Sequence, residues 1–128
     1  MSESPRTSVA ATFNIPFSRF LSRDGEVMRA LPSFAESQET LIGLYRAMVL
    51  TRLFDEKAVA LQRTGRLGTY ASSLGQEAVG VGVASAMKPE DVLLPSFREQ
   101  SAMLWRGVTK TELLLYWGGD ERGSDFQG

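Results

Sequence analysis

The sequence has 128 residues, enough for one compact domain, and its formal net charge of -1 at pH 7 excludes an electrostatic footprint for nucleic acid or an anionic membrane. It contains no cysteine and no histidine. This composition excludes disulfides, thiolate chemistry and histidine general bases or metal ligands, so acid–base chemistry needs carboxylates, a cofactor or another chain. No apolar run approaches the ~20 residues of a membrane span, and no membrane association is expected.

Residues 1–35 mix serine, proline and glycine with isolated aromatic residues and show no sustained helical period. Two interpretations fit this pattern: a disordered tail, or an extended N-terminal arm lying on a neighbouring surface, with a turn at Asp24-Gly25. We assign residues 1–35 to such an arm and expect a folded domain to follow as 36–128. Prolines and Glu3 interrupt any amphipathic transit helix, and no apolar signal core is present, so we expect a bacterial cytoplasmic protein.

A long helix is predicted from about Ser37, its N-cap, to Thr64, because Gly65 follows its end. Its second half is amphipathic, whereas its first half is apolar on every side. The apolar positions of the first half include Leu41, Ile42, Leu44, Tyr45, Ala47, Met48, Val49 and Leu50. A helix that is apolar all round is a buried one, and a short chain can hardly surround it. We therefore expect a second subunit to cover it.

A second helix is predicted from about Gln76 to Met87, with Gly80 and Gly82 inside it. Each glycine in a helix interior costs ~1 kcal/mol relative to alanine, so these two indicate a close approach. A tight helix–helix contact is favoured over direct ligand contact.

The rest of the chain is predicted to contain one short strand and two further helices. Val92 to Leu94 has the apolar character of a short buried strand, ended by a proline. Helices are then predicted from about Arg98 to Arg106 and, with Thr109 as the N-cap, from Lys110 to Trp117. The tail from Gly118 to Gly128 shows no periodicity.

The segment from Val92 to Arg98 is the best site candidate on residue pattern alone. A strand that passes through Ser96-Phe97 into a helix at Arg98 would gather free backbone N–H groups, a helix dipole and a guanidinium, which together hold phosphoryl groups. The alternative is that Arg98 forms a surface ion pair. Glu77 is explained by the dipole of the second helix, and the cluster Gly118–Glu121 by a solvated turn rather than a metal loop.

Several motifs in the same order resemble the alpha subunits of thiamine-diphosphate-dependent 2-oxo acid dehydrogenases. They lie within about residues 37–118 and comprise Tyr45–Asp55, Leu61–Gly68, Gly75–Ala78, Asp91, Pro95–Glu99 and Arg106-Gly107. Two stretches, Gln62–Gly68 and Tyr116–Glu121, are most similar to the pyruvate dehydrogenase alpha subunits of heterotetrameric bacterial enzymes.

The resemblance implies an α/β fold, the doubly wound thiamine-diphosphate-binding domain, of which this chain is an α-rich N-terminal part. It implies thiamine diphosphate and Mg²⁺ as cofactors. The implied partners are a beta subunit, a second alpha subunit and the lipoyl domain of the acyltransferase core. The implied oxidoreductase activity is that of an acetyl-transferring pyruvate dehydrogenase, which converts pyruvate to an acyl-lipoyl group and carbon dioxide.

The family's cofactor-diphosphate pair falls on Phe97 and Arg98, and its substrate pocket on Thr69 and Tyr70. Phe97 stands where the family usually has tyrosine, and Thr69 where many members have phenylalanine, so branched-chain 2-oxo acids and acetoin remain alternative substrates.

No catalytic or metal residue is assigned here. The family's Gly-Asp-Gly metal motif is followed by an asparagine, and Asn14 is the only asparagine, so we expect the metal ligands beyond residue 128 and the chain to be an inactive fragment. A non-catalytic helical interaction module derived from this family is the other alternative.

Overall fold

The computed structural model describes residues 7–126, which contain four α-helices and two short 3-10 helices. The α-helices are α1 (Gln38–Arg63), α2 (Glu77–Ala86), α3 (Gln100–Trp105) and α4 (Lys110–Gly118), and the 3-10 helices are Ser33–Glu36 and Glu121–Gly123. The chain divides into two compact units between Glu36 and Ser37. All four α-helices lie in the second unit.

The described part of the first unit, residues 7–36, contains the predicted turn near Asp24-Gly25. Gly25 has a positive φ of 85°, and an isolated antiparallel bridge pairs Leu21 with Val27. The Ser22 hydroxyl accepts the backbone N–H groups of Asp24 at 3.2 Å and of Glu26 at 3.1 Å. Local hydrogen bonds therefore close this turn, as the Asp-Gly pair predicts.

Helix α1 agrees with its prediction at both ends. The Ser37 hydroxyl accepts the backbone N–H of Thr40 at 3.2 Å, and Gly65 follows the helix with a φ of 72°. Phe54 and Ala58 in the second half are buried in the core of the second unit. Large apolar side chains of the first half are exposed in the described structure, among them Leu41, Ile42, Tyr45, Val49 and Leu50.

Helices α2 and α3 approach closely at Gly80. A β-carbon at this position would overlap the Ser101 Oγ of α3 and lie 3.2 Å from the Ala102 backbone nitrogen, so glycine suits the observed spacing. The predicted tight helix–helix contact is confirmed here. Gly82, in contrast, has open space where its β-carbon would be.

The prediction of a strand at Val92–Leu94 is wrong. These residues lie outside any strand, and Val92 and Leu94 are 79% and 88% exposed. A strand needs a partner for its N–H and C=O groups, and the described residues 7–126 supply none beside it. The Arg106 guanidinium instead holds the connection after α2, donating to the carbonyls of Lys88 at 2.8 Å, Pro89 at 3.1 Å and Asp91 at 2.8 Å.

Helix α4 begins with a capping box, in which Thr109 and Glu112 exchange side-chain and backbone hydrogen bonds, and ends at the left-handed Gly119. This agrees with the predicted cap. The tail, predicted to be without regular structure, forms the 3-10 helix Glu121–Gly123. A β-carbon at Gly123 would overlap the backbone nitrogen of Tyr116, so this turn is packed directly on the end of α4.

A buried carboxylate joins α1 to the loop that follows it. Asp55 is 2% exposed and accepts the Tyr70 hydroxyl at 2.8 Å, the Ser72 hydroxyl at 2.7 Å and the Ser73 backbone N–H at 2.7 Å. The Tyr70 ring makes an edge contact with Trp117, with 5.2 Å between ring centroids. A buried carboxylate is tolerated because its oxygens are hydrogen-bonded, and here those bonds hold residues 70–73.

We expect Asp55→Ala to lower the free energy of unfolding by about 2–4 kcal/mol, because it leaves buried donors without an acceptor. Tyr70→Phe removes one donor only and should cost about 1 kcal/mol. Urea unfolding of the purified protein measures both. Glu56→Ala, an exposed carboxylate one residue along α1, is the control. Equal stability of the Asp55 and Glu56 variants would contradict the assigned role of Asp55.

Candidate functional site

The predicted site residues lie on two neighbouring segments of the second unit. Thr69 is exposed and Tyr70 is buried in the loop after α1, whereas Phe97 and Arg98 are exposed in the turn before α3. Two hydrogen bonds tie these segments together, one from the Arg98 guanidinium to the Ser72 carbonyl and one from Gln100 Nε2 to the Ala71 carbonyl at 2.9 Å. The fold therefore brings the two predicted pairs onto adjoining loops.

Arg98 is an exposed cation on this turn. Its guanidinium carbon lies 5.6 Å from the centroid of the Phe97 ring, and its Nη1 donates to the Ser72 carbonyl. Neither salt bridge found within residues 7–126 involves Arg98, so the surface ion-pair interpretation has no support there. A planar guanidinium held beside an aromatic ring suits recognition of a phosphate or carboxylate.

The backbone of this turn differs from the prediction. Arg98 precedes α3, which begins at Gln100, so it is not in a first helical turn. The N–H groups of Ser96 and Arg98, expected to be free, donate to the Glu99 carboxylate at 2.9 and 3.0 Å. The sequence contained the signal, because a glutamate three residues after a serine is the spacing of a capping box. Anion binding at this turn therefore depends on the Arg98 side chain.

A small cavity lies beside Phe97, between the turn and α4. Its volume is about 80 Å³, well below that of a typical ligand pocket. Most of its walls are apolar, and they include Pro95, Phe97, Met103, Leu113, Tyr116 and Trp117. The spacing of residues in the sequence did not predict that Tyr116 and Trp117 line this cavity. The cavity is too small to enclose an organic cofactor.

A second groove, of about 340 Å³, separates the exposed side of α1 from the start of α2. At its floor the Arg52 Nε lies 2.6 Å from Glu77 Oε1, which also accepts the Gly75 backbone N–H at 3.2 Å. The hydrogen bond from Arg52 lowers the pKa of Glu77 from 4.5 to about 2. Glu77 is thus fixed by an ion pair across two helices, a stronger reason for its position than the helix dipole alone.

No group of three or more histidine, cysteine, aspartate or glutamate side chains within the described range could hold a metal ion. Asp120, in the cluster considered as a metal loop, pairs with Arg122 at 2.7 Å. Among the same residues, no helix has both the length and the apolar character to cross a membrane.

The chain belongs to the dehydrogenase E1 component family, whose sequence pattern matches residues 45–127. The resemblance drawn from the motifs is confirmed. The helices and the two tied loops described above therefore form an α-helical part of a dehydrogenase E1 domain.

Three individual proteins of known name are similar to this chain. The chain is 47% identical over 87 residues to the pyruvate dehydrogenase E1 component subunit alpha of Acholeplasma laidlawii, covering 68% of this chain and 25% of that protein. It is 36% identical over 104 residues to the same subunit of Mycoplasma pneumoniae, covering 81% and 29%. It is 35% identical over 98 residues to the mitochondrial 2-oxoisovalerate dehydrogenase subunit alpha 2 of Arabidopsis thaliana, covering 77% and 21%. The chain spans about a quarter of the length of the curated relatives it matches.

We expect Glu77→Gln to reduce the pH dependence of stability. Because the folded-state pKa lies below the ordinary value, the charged Glu77 stabilises the fold above pH 4.5, and this contribution is lost as pH falls towards about 2. At neutral pH the loss on substitution should be about 1 kcal/mol, since Arg52 is 45% exposed and partly screened.

Urea unfolding at a series of pH values tests this expectation, with Glu90→Gln, an exposed glutamate in the loop after α2, as the control. The wild-type and Glu77→Gln curves should converge as the pH falls through the window. Parallel curves throughout would mean that the ion pair with Arg52 does not stabilise the fold.

Proposed function

We propose that the chain is a segment of the alpha subunit of the decarboxylating component of a 2-oxo acid dehydrogenase complex, with pyruvate as substrate. The observation that carries this proposal is the Phe97-Arg98 turn, tied by hydrogen bonds to the loop that bears Thr69 and Tyr70. The pyruvate dehydrogenase names of the relatives, one of them 47% identical, support the choice of reaction. In this proposal the helices described here are part of a larger doubly wound α/β domain.

The proposed cofactor is thiamine diphosphate with Mg²⁺. When bound, thiamine diphosphate supplies the electron sink for decarboxylation of a 2-oxo acid. Arg98 suits the diphosphate because its exposed guanidinium is a bidentate donor, and Phe97 lies beside it. Among the described residues there is no cluster of three or more metal-ligating side chains, and we propose that the magnesium ligands come from other parts of the enzyme.

In the proposed substrate pocket, Thr69 and Tyr70 have different roles. Thr69 is exposed and can face a substrate, whereas the buried Tyr70 hydroxyl donates to Asp55. Burial and the hydrogen bond to Asp55 raise the pKa of Tyr70 above its ordinary value, so its hydroxyl stays protonated and holds the loop. Tyr70 thus acts by placing Thr69.

The proposed assembly is a bacterial, cytoplasmic heterotetramer of two alpha and two beta subunits, which passes its acyl group to the lipoyl domain of an acyltransferase core. The exposed apolar side chains on the first half of α1 support a subunit contact there, since a patch of this kind is uncommon on a monomer.

A branched-chain 2-oxo acid is the second candidate substrate, favoured by the 35% identical 2-oxoisovalerate dehydrogenase subunit and by Thr69, a smaller residue than phenylalanine. Steady-state kinetics of the assembled enzyme with pyruvate and with 3-methyl-2-oxobutanoate decides between them. A higher kcat/KM for the branched acid would overturn the assignment of pyruvate.

We expect Arg98→Ala to weaken thiamine diphosphate binding to the assembled enzyme by about 1.5–3 kcal/mol, the usual loss for a charge-assisted hydrogen bond. Arg98→Lys should recover only part of this loss, because the planar donor pair is absent. Calorimetric titration of the cofactor-free enzyme in excess Mg²⁺ gives the Kd, with Arg63→Ala, an exposed arginine on α1, as the control. Wild-type affinity in both Arg98 variants would refute the diphosphate assignment.

We also expect Tyr45→Asp and Val49→Asp to impair subunit assembly. Both side chains are exposed on the apolar half of α1, and a charge placed where a partner excludes water costs several kcal/mol, on the order of the burial of an unpaired polar group. Analytical ultracentrifugation should show dissociated subunits, whereas Lys57→Asp, on the second half of α1, should leave the assembly intact. Unchanged sedimentation of both variants would place the subunit contact elsewhere.

A further inference from the structure

We propose that Gln100 is a positioning residue for the Arg98 guanidinium, acting by fixing the two loops between which Arg98 lies. The inference rests on the proposed function, because it assumes that Arg98 contacts the diphosphate. It assigns a role to a residue that does not itself reach the cofactor.

The Gln100 side chain bridges the two loops through one atom. It is 2% exposed, and its Nε2 donates to the carbonyl of Ala71 at 2.9 Å and to the carbonyl of Phe97 at 3.1 Å. A primary amide has two N–H groups, so each carbonyl receives one of them. The Ala71 carbonyl precedes Ser72, and the Phe97 carbonyl precedes Arg98. One buried amide thereby sets the spacing between the backbone that bears Arg98 and the carbonyl that Arg98 contacts.

The choice of glutamine indicates that these bonds matter more than packing. A buried amide is costly unless it is hydrogen-bonded, and no protein donor within residues 7–126 reaches Gln100 Oε1. Methionine fills a similar volume without a polar atom to satisfy. What glutamine adds at this position is the pair of bonds to Ala71 and Phe97.

The other bonds of the turn are more accessible to solvent. Arg98 is exposed and Glu99 half-buried, and the Glu99 carboxylate accepts the backbone N–H groups of Ser96 and Arg98. These bonds shape the turn itself, whereas the bond from Gln100 to Ala71 joins it to the other loop. An exposed guanidinium is directed well only if its backbone is fixed, because positioning lowers the cost of ordering it on binding. Gln100 supplies that fixed point.

The test is a double-mutant cycle in the assembled enzyme, read out as the Kd of thiamine diphosphate in excess Mg²⁺. Gln100→Met should raise the Kd about tenfold, the effect of losing one net hydrogen bond, with kcat at saturating cofactor unchanged. In an Arg98→Ala background, Gln100→Met should have little further effect, because the residue through which it acts is gone. Gln62→Met, on the exposed end of α1, is the matched control.

Each outcome separates the two proposals. If Arg98→Ala weakens binding but Gln100→Met leaves the Kd unchanged, or if their effects multiply, the positioning role is refuted and the cofactor site stands. If Arg98→Ala leaves the Kd unchanged, the proposed function fails at this residue. Thermal unfolding of the cofactor-free enzyme shows whether Gln100→Met folds. Should it not, Gln100→Asn, which keeps the amide but is too short to reach both carbonyls, makes the same prediction.

Discussion

The buried carboxylate of Asp55 is the interaction on which the site depends. Its four hydrogen-bond donors all come from residues 70–73, so it determines where this loop lies on α1. The segment before α3 is joined to the same loop by hydrogen bonds from Arg98 and Gln100 to the Ser72 and Ala71 carbonyls. The position of Arg98 therefore follows from a carboxylate on α1 that never touches it.

Local signals predicted the helices well, whereas structure that needs a distant partner was predicted poorly. Ser37 and Thr109 cap helices through residues within three positions of themselves, and both predictions are confirmed. Val92–Leu94 has the composition of a strand, but a strand forms only beside another, and composition carries no information about that neighbour. The hydrogen bonds of Glu99 are local, and the Ser96–Glu99 spacing of a capping box is present in the sequence. They were nevertheless not predicted, because the predicted strand-to-helix junction implied free N–H groups at the same place.

The residues of the candidate site also divide into those that a sequence pattern indicated and those that tertiary packing positions. Phe97 and Arg98 were assigned to the cofactor through the order of family motifs, since spacing alone favoured a surface arginine at Arg98. The roles of Asp55 and Gln100 were not predicted, because the bonds that join them to residues 70–73 reach across 15 to 29 positions in the chain and follow from tertiary packing. Gly80 was singled out by its helix-propensity cost, and its reason, the overlap with Ser101, appeared only with the packing of α2 on α3.

Helix α1 contains two different environments in one continuous element, and the change occurs near Thr51. Thr51 is 1% exposed and returns its hydroxyl to the Ala47 carbonyl at 2.9 Å, so it is buried without needing a partner outside the helix. After it, Phe54, Asp55 and Ala58 face the core of the second unit. Before it, the exposed side chains include the large apolar Leu41, Ile42, Tyr45, Val49 and Leu50. A helix stabilised along half its length by its own core can present the other half as a rigid apolar surface. The half of α1 that carries Asp55 also fixes the loop beside Arg98. A partner bound to the apolar half of the same helix would therefore have a fixed position relative to the proposed cofactor site.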